Sequence, residues 1–120
     1  MSTGVDIAAE AWRSLVNFFG DAVNYEQPDG GGIVSVKMFI RGMTGVDDTW
    51  GAALQSDQLG VVDASAFALA FPARPRPLKF DKVRTAGPMA ANYTVEEWRA
   101  APAYGGAPVV LKLLLRGGHQ

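Results

Sequence analysis

The apolar positions of this 120-residue chain change period several times, and each change marks an element. Over residues 4–19, Ile7, Ala11, Leu15 and Phe18 recur at helical spacing, and Ala8, Trp12, Val16 and Phe19 widen the stripe. Thr3 with Asp6 resembles a capping box, with Asp in place of the usual Glu or Gln. Gly20 suits the helix end, where positive φ carries no Cβ penalty. So wide a stripe needs a partner. A sheet of the same chain is expected first, a neighbouring subunit second.

Beyond Gly20 the period falls to two. Residues 21–26, DAVNYE, read as a short strand, and Gln27 to Gly32 as a turn set by Pro28 and three glycines. Residues 33–41 place Val34, Val36, Met38 and Ile40 on one face, which makes a hairpin with the preceding strand. Residues 42–60 lose all periodicity. A loop of that length in a compact domain is uncommon and usually functional, mobile or engaged in assembly. It carries Met43, Val46, Trp50 and Leu54 among three acids. Alternation returns over 61–71, VVDASAFALAF, which reads as a strand with Phe67, Leu69 and Phe71 opposite an alanine face. Pro72 to Pro77 alternates proline with arginine and cannot occupy a central strand. Further strands follow at 78–84, 92–98 and 109–116, with a Gly/Pro/Ala loop over 100–108. The expectation is one domain over 1–120, mainly β (α+β). One helix at 4–19 precedes a six-stranded small barrel or curved sandwich over 21–116, with a long loop at 42–60. Closure would protect the edges of so small a sheet.

Composition narrows the chemistry. The chain has no cysteine, so disulfides, thiolate metal sites and cysteine nucleophiles are excluded. Its one histidine, His119, sits on a Gly-Gly tail, poorly placed for general base work or metal binding. Asp47-Asp48 and Glu96-Glu97 are adjacent pairs, which strand geometry sends to opposite faces, into solvent. Gly30 to Gly32 lacks the Lys-Ser/Thr of a phosphate loop. Trp12 and Trp98 read as packing residues. No enzyme, cofactor or metal is expected. The start, MSTGVDIAAEAWRS, has neither the basic opening nor the apolar run of a signal peptide, and no stretch is long and apolar enough for a membrane span.

Net charge is −1, but residues 1–73 hold three basic against nine acidic side chains, and residues 74–120 eight basic against three acidic. The two halves therefore carry −6 and +5. Such a subunit could set its acidic face against a neighbour's basic face. A near-neutral total argues against strong nucleic-acid binding.

The order of elements resembles the small head–tail joining proteins of tailed bacteriophages, the head-completion or stopper class. The resemblance is carried by a short helix ending near Gly20, AVNYEQPDGGG, IVSVKMFIRG, a long loop and LGVVDASAFALAF. A proline step to LKFDKVRT, NYTVEEWR and VVLKLLLRGG complete it. In many relatives the step reads Pro followed by Gly-Asp before an apolar residue. Here Phe80 precedes Asp81, and Lys82 separates Asp81 from Val83.

The resemblance implies a virion neck protein assembled in the bacterial cytoplasm. It would form a ring of six or twelve subunits, with a portal or adaptor protein on the head side and a tail terminator or tail tube on the other. Packaged DNA would be held behind it, with non-specific contact at most. Met43, Trp50 and Leu54 in the loop and Arg74, Arg76 and Lys79 in the connector would be contact residues. Two alternatives are a tail terminator, which is usually richer in helix, and an oligonucleotide- or ligand-binding barrel using Tyr25, Phe39, Tyr93 and Lys37.

Overall fold

The computed structural model describes residues 4–42, 57–86, 90–101 and 107–117, with the side chains from Glu10 onward. A helix, α1 (Gly4–Phe19), leads into β1 (Asp21–Gln27) and β2 (Gly32–Gly42). β3 (Gln58–Asp63), a second helix α2 (Ala64–Ala70), β4 (Lys82–Arg84), β5 (Asn92–Ala101) and β6 (Val110–Gly117) follow. The six strands form a closed antiparallel barrel in the order β1-β2-β3-β6-β5-β4. The three residues of β4 close it, Val83 standing opposite Tyr25 of β1 on one side and Tyr93 of β5 on the other. The expected β1–β2 hairpin is present from Asp21↔Met38 to Gln27↔Gly32, and Gly30 and Gly32 take positive φ in its turn.

Alternation along each strand divides the apolar residues between two cores. Val23, Tyr25, Val36, Met38, Val62, Leu111, Leu113 and Leu115 fill the barrel. Leu59, Val61, Val110 and Leu114 point outward and pack beneath Val16 and Trp12 of α1. The helix thus lies on its own sheet. Trp12 sits between two cations, 5.4 Å from the Arg41 guanidinium and 4.7 Å from Lys112 Nζ. Lys37 Nζ donates to the Asn17 carbonyl in the last turn of α1 at 2.8 Å. Phe18 and Phe19, the end of the apolar stripe, remain 81% and 66% exposed.

Several expectations need correction. Residues 61–71 are not one strand: β3 ends at Asp63 and α2 begins. Asp63 caps α2, its carboxylate accepting from Ser65 N at 2.8 Å and Ala66 N at 3.4 Å. Alanine at 64, 66, 68 and 70 favours helix, and Phe67 and Phe71, four apart, both turn inward while Leu69 is left 84% exposed. Of the loop expected over 42–60, residues 43–56 lie outside the described residues, Gly42 ends β2, and Gln58 to Gly60 belong to β3. That strand is buried on both faces and therefore shows no alternation. A Cβ at Gly60 would lie 2.8 Å from Leu115 Cδ1 and 3.0 Å from Met38 Sδ, so the glycine makes room for the inner core.

Of the strand expected at 78–84, only Lys82–Arg84 is extended; Leu78 to Asp81 is a turn, with Asp81 N donating to the Leu78 carbonyl at 3.1 Å. The strand expected at 92–98 runs to Ala101 and carries a bulge between Val95 and Glu97. Without it, strict alternation would turn Glu97 inward beside Val95. With it, Trp98 and Ala100 pack on the inner core instead. Glu96 and Glu97 are paired rather than simply solvated, with Arg116 at 3.3 Å and Arg99 at 3.4 Å. Gly20 is required for a reason other than positive φ: a Cβ there would lie 2.5 Å from the Val16 carbonyl oxygen.

Candidate assembly surface

The two ends of the barrel differ. At the end where β1 stops and β2 starts, α2 lies across the opening. Phe67 and Phe71 meet Tyr25 with ring centroids 4.9 and 5.5 Å away, largely edge to face. The Tyr25 hydroxyl cannot be left bare in such a place. It donates to Asp81 Oδ2 at 2.7 Å. That oxygen also accepts from Leu78 N at 2.9 Å and Arg74 Nη1 at 3.1 Å, while Asp81 Oδ1 accepts from Arg74 Nη2 at 2.8 Å.

Arg74 is saturated. Besides Asp81 it binds Asp29 through Nε at 2.8 Å and Nη2 at 2.9 Å, and its Nη1 donates to the Arg76 carbonyl at 2.6 Å. All the N–H groups of the guanidinium fork are thereby engaged. The Arg74 carbonyl in turn accepts from Gln27 Nε2 at 3.0 Å. Burial, followed by the bond to Asp81, raises the Tyr25 pKa well above its usual value. The hydrogen bonds from Arg74 hold the Asp29 carboxyl below the usual carboxylate range. Burial works against the Arg74 charge, but its two carboxylate partners outweigh it and its pKa rises.

This network fixes a surface turn. Phe80 N donates to the Val95 carbonyl, and Val95 N to the Asp81 carbonyl, both at 2.8 Å. Between them Phe80 has φ 77°, the left-handed region where the third residue of such a turn is normally glycine. Its ring is 63% exposed, Leu78 is 39% exposed, and Lys79 Nζ lies 5.3 Å from the Phe80 ring centroid. A shallow hollow of about 340 Å³ lies beside the turn, lined by Pro28, Asp29, Arg74 and the turn itself.

At the opposite end, where β1 starts and β2 stops, the structure has a cleft of about 700 Å³. Phe19, Asp21, Ala22, Phe39, Gln58 and Tyr93 line it. Nearby, the buried carboxylate of Asp57 accepts from Arg116 Nε and Nη2 at 3.1 and 3.0 Å, which raises the Arg116 pKa.

Of the six contact residues expected from sequence, Met43, Trp50 and Leu54 lie outside the described residues, as do Asp47, Asp48 and His119. Arg74, Arg76 and Lys79 do fall together, but in two roles. Arg74 is an internal clamp, 12% exposed at its side chain, whereas Arg76 and Lys79 face solvent. Sequence reasoning missed Asp29 and the shared network that joins Tyr25, Asp81 and the Phe80 turn to Arg74. Tyr25 had a usable signal, a tyrosine on the apolar face of a strand, which needs a buried acceptor. Asp29 is 45 positions from Arg74, and Asp81 is 56 from Tyr25, so these pairings carry none. Among the described residues no group of three or more His, Cys, Asp or Glu could hold a metal ion, and no helix is long and apolar enough to cross a membrane. No family model and no curated protein matches the chain.

Proposed function

We propose that the chain is a structural subunit of a bacteriophage neck, of the head-completion class. It joins a DNA-filled head to a tail as part of a ring and helps retain the packaged DNA. One observation carries this reading: the barrel is filled by its own side chains, and what it offers outward is a rigid, projecting aromatic turn at one end and a mixed polar and apolar cleft at the other. Such a body presents contact surfaces to proteins rather than an interior to a substrate. The order of elements that suggested the resemblance also supports it, as does the turn at Phe80, which keeps a glycine-favouring conformation at the position where many relatives carry Gly before Asp.

The binding-barrel alternative has less support. Tyr25 is sealed inside the barrel and Phe39 packs against the α1 layer, so they cannot share an exposed stacking platform. Lys37 is bonded to the end of α1.

The experiment is removal of the gene from the producing phage or prophage, followed by electron microscopy of the lysate. Tails of normal length beside unjoined, emptied heads are expected. Tails of irregular length would assign the chain to the tail terminator instead, and intact infectious particles would overturn the reading.

A further inference from the structure

Building on this reading of the chain as a ring subunit, we propose that neighbouring copies join head to tail, the Leu78–Phe80 turn of one copy seating in the Phe19–Asp21–Ala22 cleft of the next. The register of β1 sets the two surfaces at opposite ends of the molecule. Asp21, its first residue, lines the cleft, and beyond its last residue Asp29 lies beside the turn. A contact between unlike, oppositely placed patches is heterologous, the type that builds rings.

The charges match. At the turn, both nearby carboxylates, Asp29 and Asp81, are bonded to Arg74, which leaves Lys79 and Arg76 to set the sign presented to solvent. In the cleft, Asp21 is the one charged side chain among the described lining residues. A basic, aromatic projection therefore faces an acidic, partly apolar recess. The apolar groups match as well. Phe80 and Leu78 are exposed on one side, Phe19 on the other, and the contact would cover all three. A cleft of about 700 Å³ is large enough for an aromatic and a leucine side chain.

Rigidity completes the argument. Phe80 is held in a left-handed conformation by backbone bonds to Val95 on its own nitrogen and on its neighbour Asp81. Its ring is thus already positioned before contact and loses little freedom on binding. The surface involved is small, so a single contact is weak and would close a ring only at high local concentration.

The test uses the full chain with p-benzoylphenylalanine in place of Phe80, which keeps an aromatic ring at the tip and reacts on illumination with whatever lies against it. At high protein concentration we expect a ladder of covalent oligomers, with the crosslink mapping to the peptides around residues 19–23 and 38–40. Lys79→Glu should lower the yield roughly two- to fivefold, the worth of an exposed ion pair, and Asp21→Lys in the same chain should restore it. Crosslinks from tip to tip, crosslinks to any other surface, or no crosslink above that of a probe placed at Ser35 on β2 would each overturn the proposal. The lysate experiment is independent of this one. Unjoined heads and tails combined with a failed crosslink would keep the neck assignment and discard this interface.

Discussion

At the end of the barrel where β1 stops, two phenylalanines of α2, a tyrosine, two aspartates and an arginine leave no polar group of the Tyr25–Asp81–Arg74 chain without a partner. At the end where β1 starts there is a cleft of about 700 Å³, and Phe19, which lines it, is 66% exposed. Both ends belong to the same barrel and share its strands. The difference lies in where the stability is spent. Each end holds a buried carboxylate paired with an arginine, Asp57 with Arg116 and Asp81 with Arg74, but only the closed end uses its pair to hold a projecting turn in one conformation, and among the described residues the open end leaves Phe19 exposed. The contrast is the physical basis for treating one end as a rigid projection and the other as its receiver.

The contrast breaks most readily at Arg74. Arg74→Ala leaves Asp81, 2% exposed, without its cation. Removing one partner of a buried pair costs about 3–5 kcal/mol, and urea denaturation should read that loss. Arg74→Lys should recover only a part, since an ammonium cannot bridge two carboxylates with a planar fork. At the open end Phe19→Ala, at a side chain 66% exposed, should change stability by less than about 0.5 kcal/mol. Equal losses from Arg74→Ala and Phe19→Ala would erase the distinction between the ends.

Tyr25→Phe sharpens it by a smaller step, about 1 kcal/mol for one neutral donor on an acceptor that keeps its other donors. The pH dependence is more diagnostic. Burial and the bond to Asp81 raise the folded-state pKa of Tyr25 above its ordinary value of 10.0. Below pH 10 both folded and unfolded chains keep the phenolic proton, and its contribution is fully present. As pH rises further, the unfolded chain releases the proton and the folded chain does not. Stability then falls, by at most about 1.4 kcal/mol per pH unit for one proton. Urea midpoints measured from pH 8 to 11 should therefore decline above pH 10 in the wild-type chain, and less steeply in Tyr25→Phe.

How much of this was legible in the chain follows from the range of the interactions. α1, β1, β2 and β6 were readable because each shows its own period or an unbroken apolar run between turn residues. β3 was readable only from Val61 onward, because burial on two faces removes alternation over Gln58 to Gly60. α2 was misread because its four alanines at every second position mimic a strand, while the cap at Asp63 and the Phe67/Phe71 spacing point to helix. The bulge at Glu96 follows from a conflict visible only once Val95 is known to face inward. Arg74, Arg76 and Lys79 were expected together on their proximity alone. That Arg74 turns inward depends on Asp29, 45 positions away, and on Asp81 lying beside Tyr25 from 56 positions away. Local pattern carries no trace of either pairing.

The smallest effect separates stability from assembly. Phe80 is a bulky residue at φ 77°, where a Cβ costs about 1–2 kcal/mol. Glycine would remove that cost and add back part of it as chain entropy, about 0.5–1 kcal/mol. Phe80→Gly should therefore leave the barrel equally stable or more stable by up to about 1.5 kcal/mol, with Asp81 and its hydrogen bonds in place. It should also delete the aromatic tip. A chain that unfolds at the same or higher urea concentration yet no longer competes with wild-type chain for the photocrosslink would mean that the strain is tolerated for contact. A Phe80→Gly chain that is markedly less stable would mean that the ring contributes to its own turn, and the projection would then be a structural feature of the closed end rather than a surface kept for a neighbour.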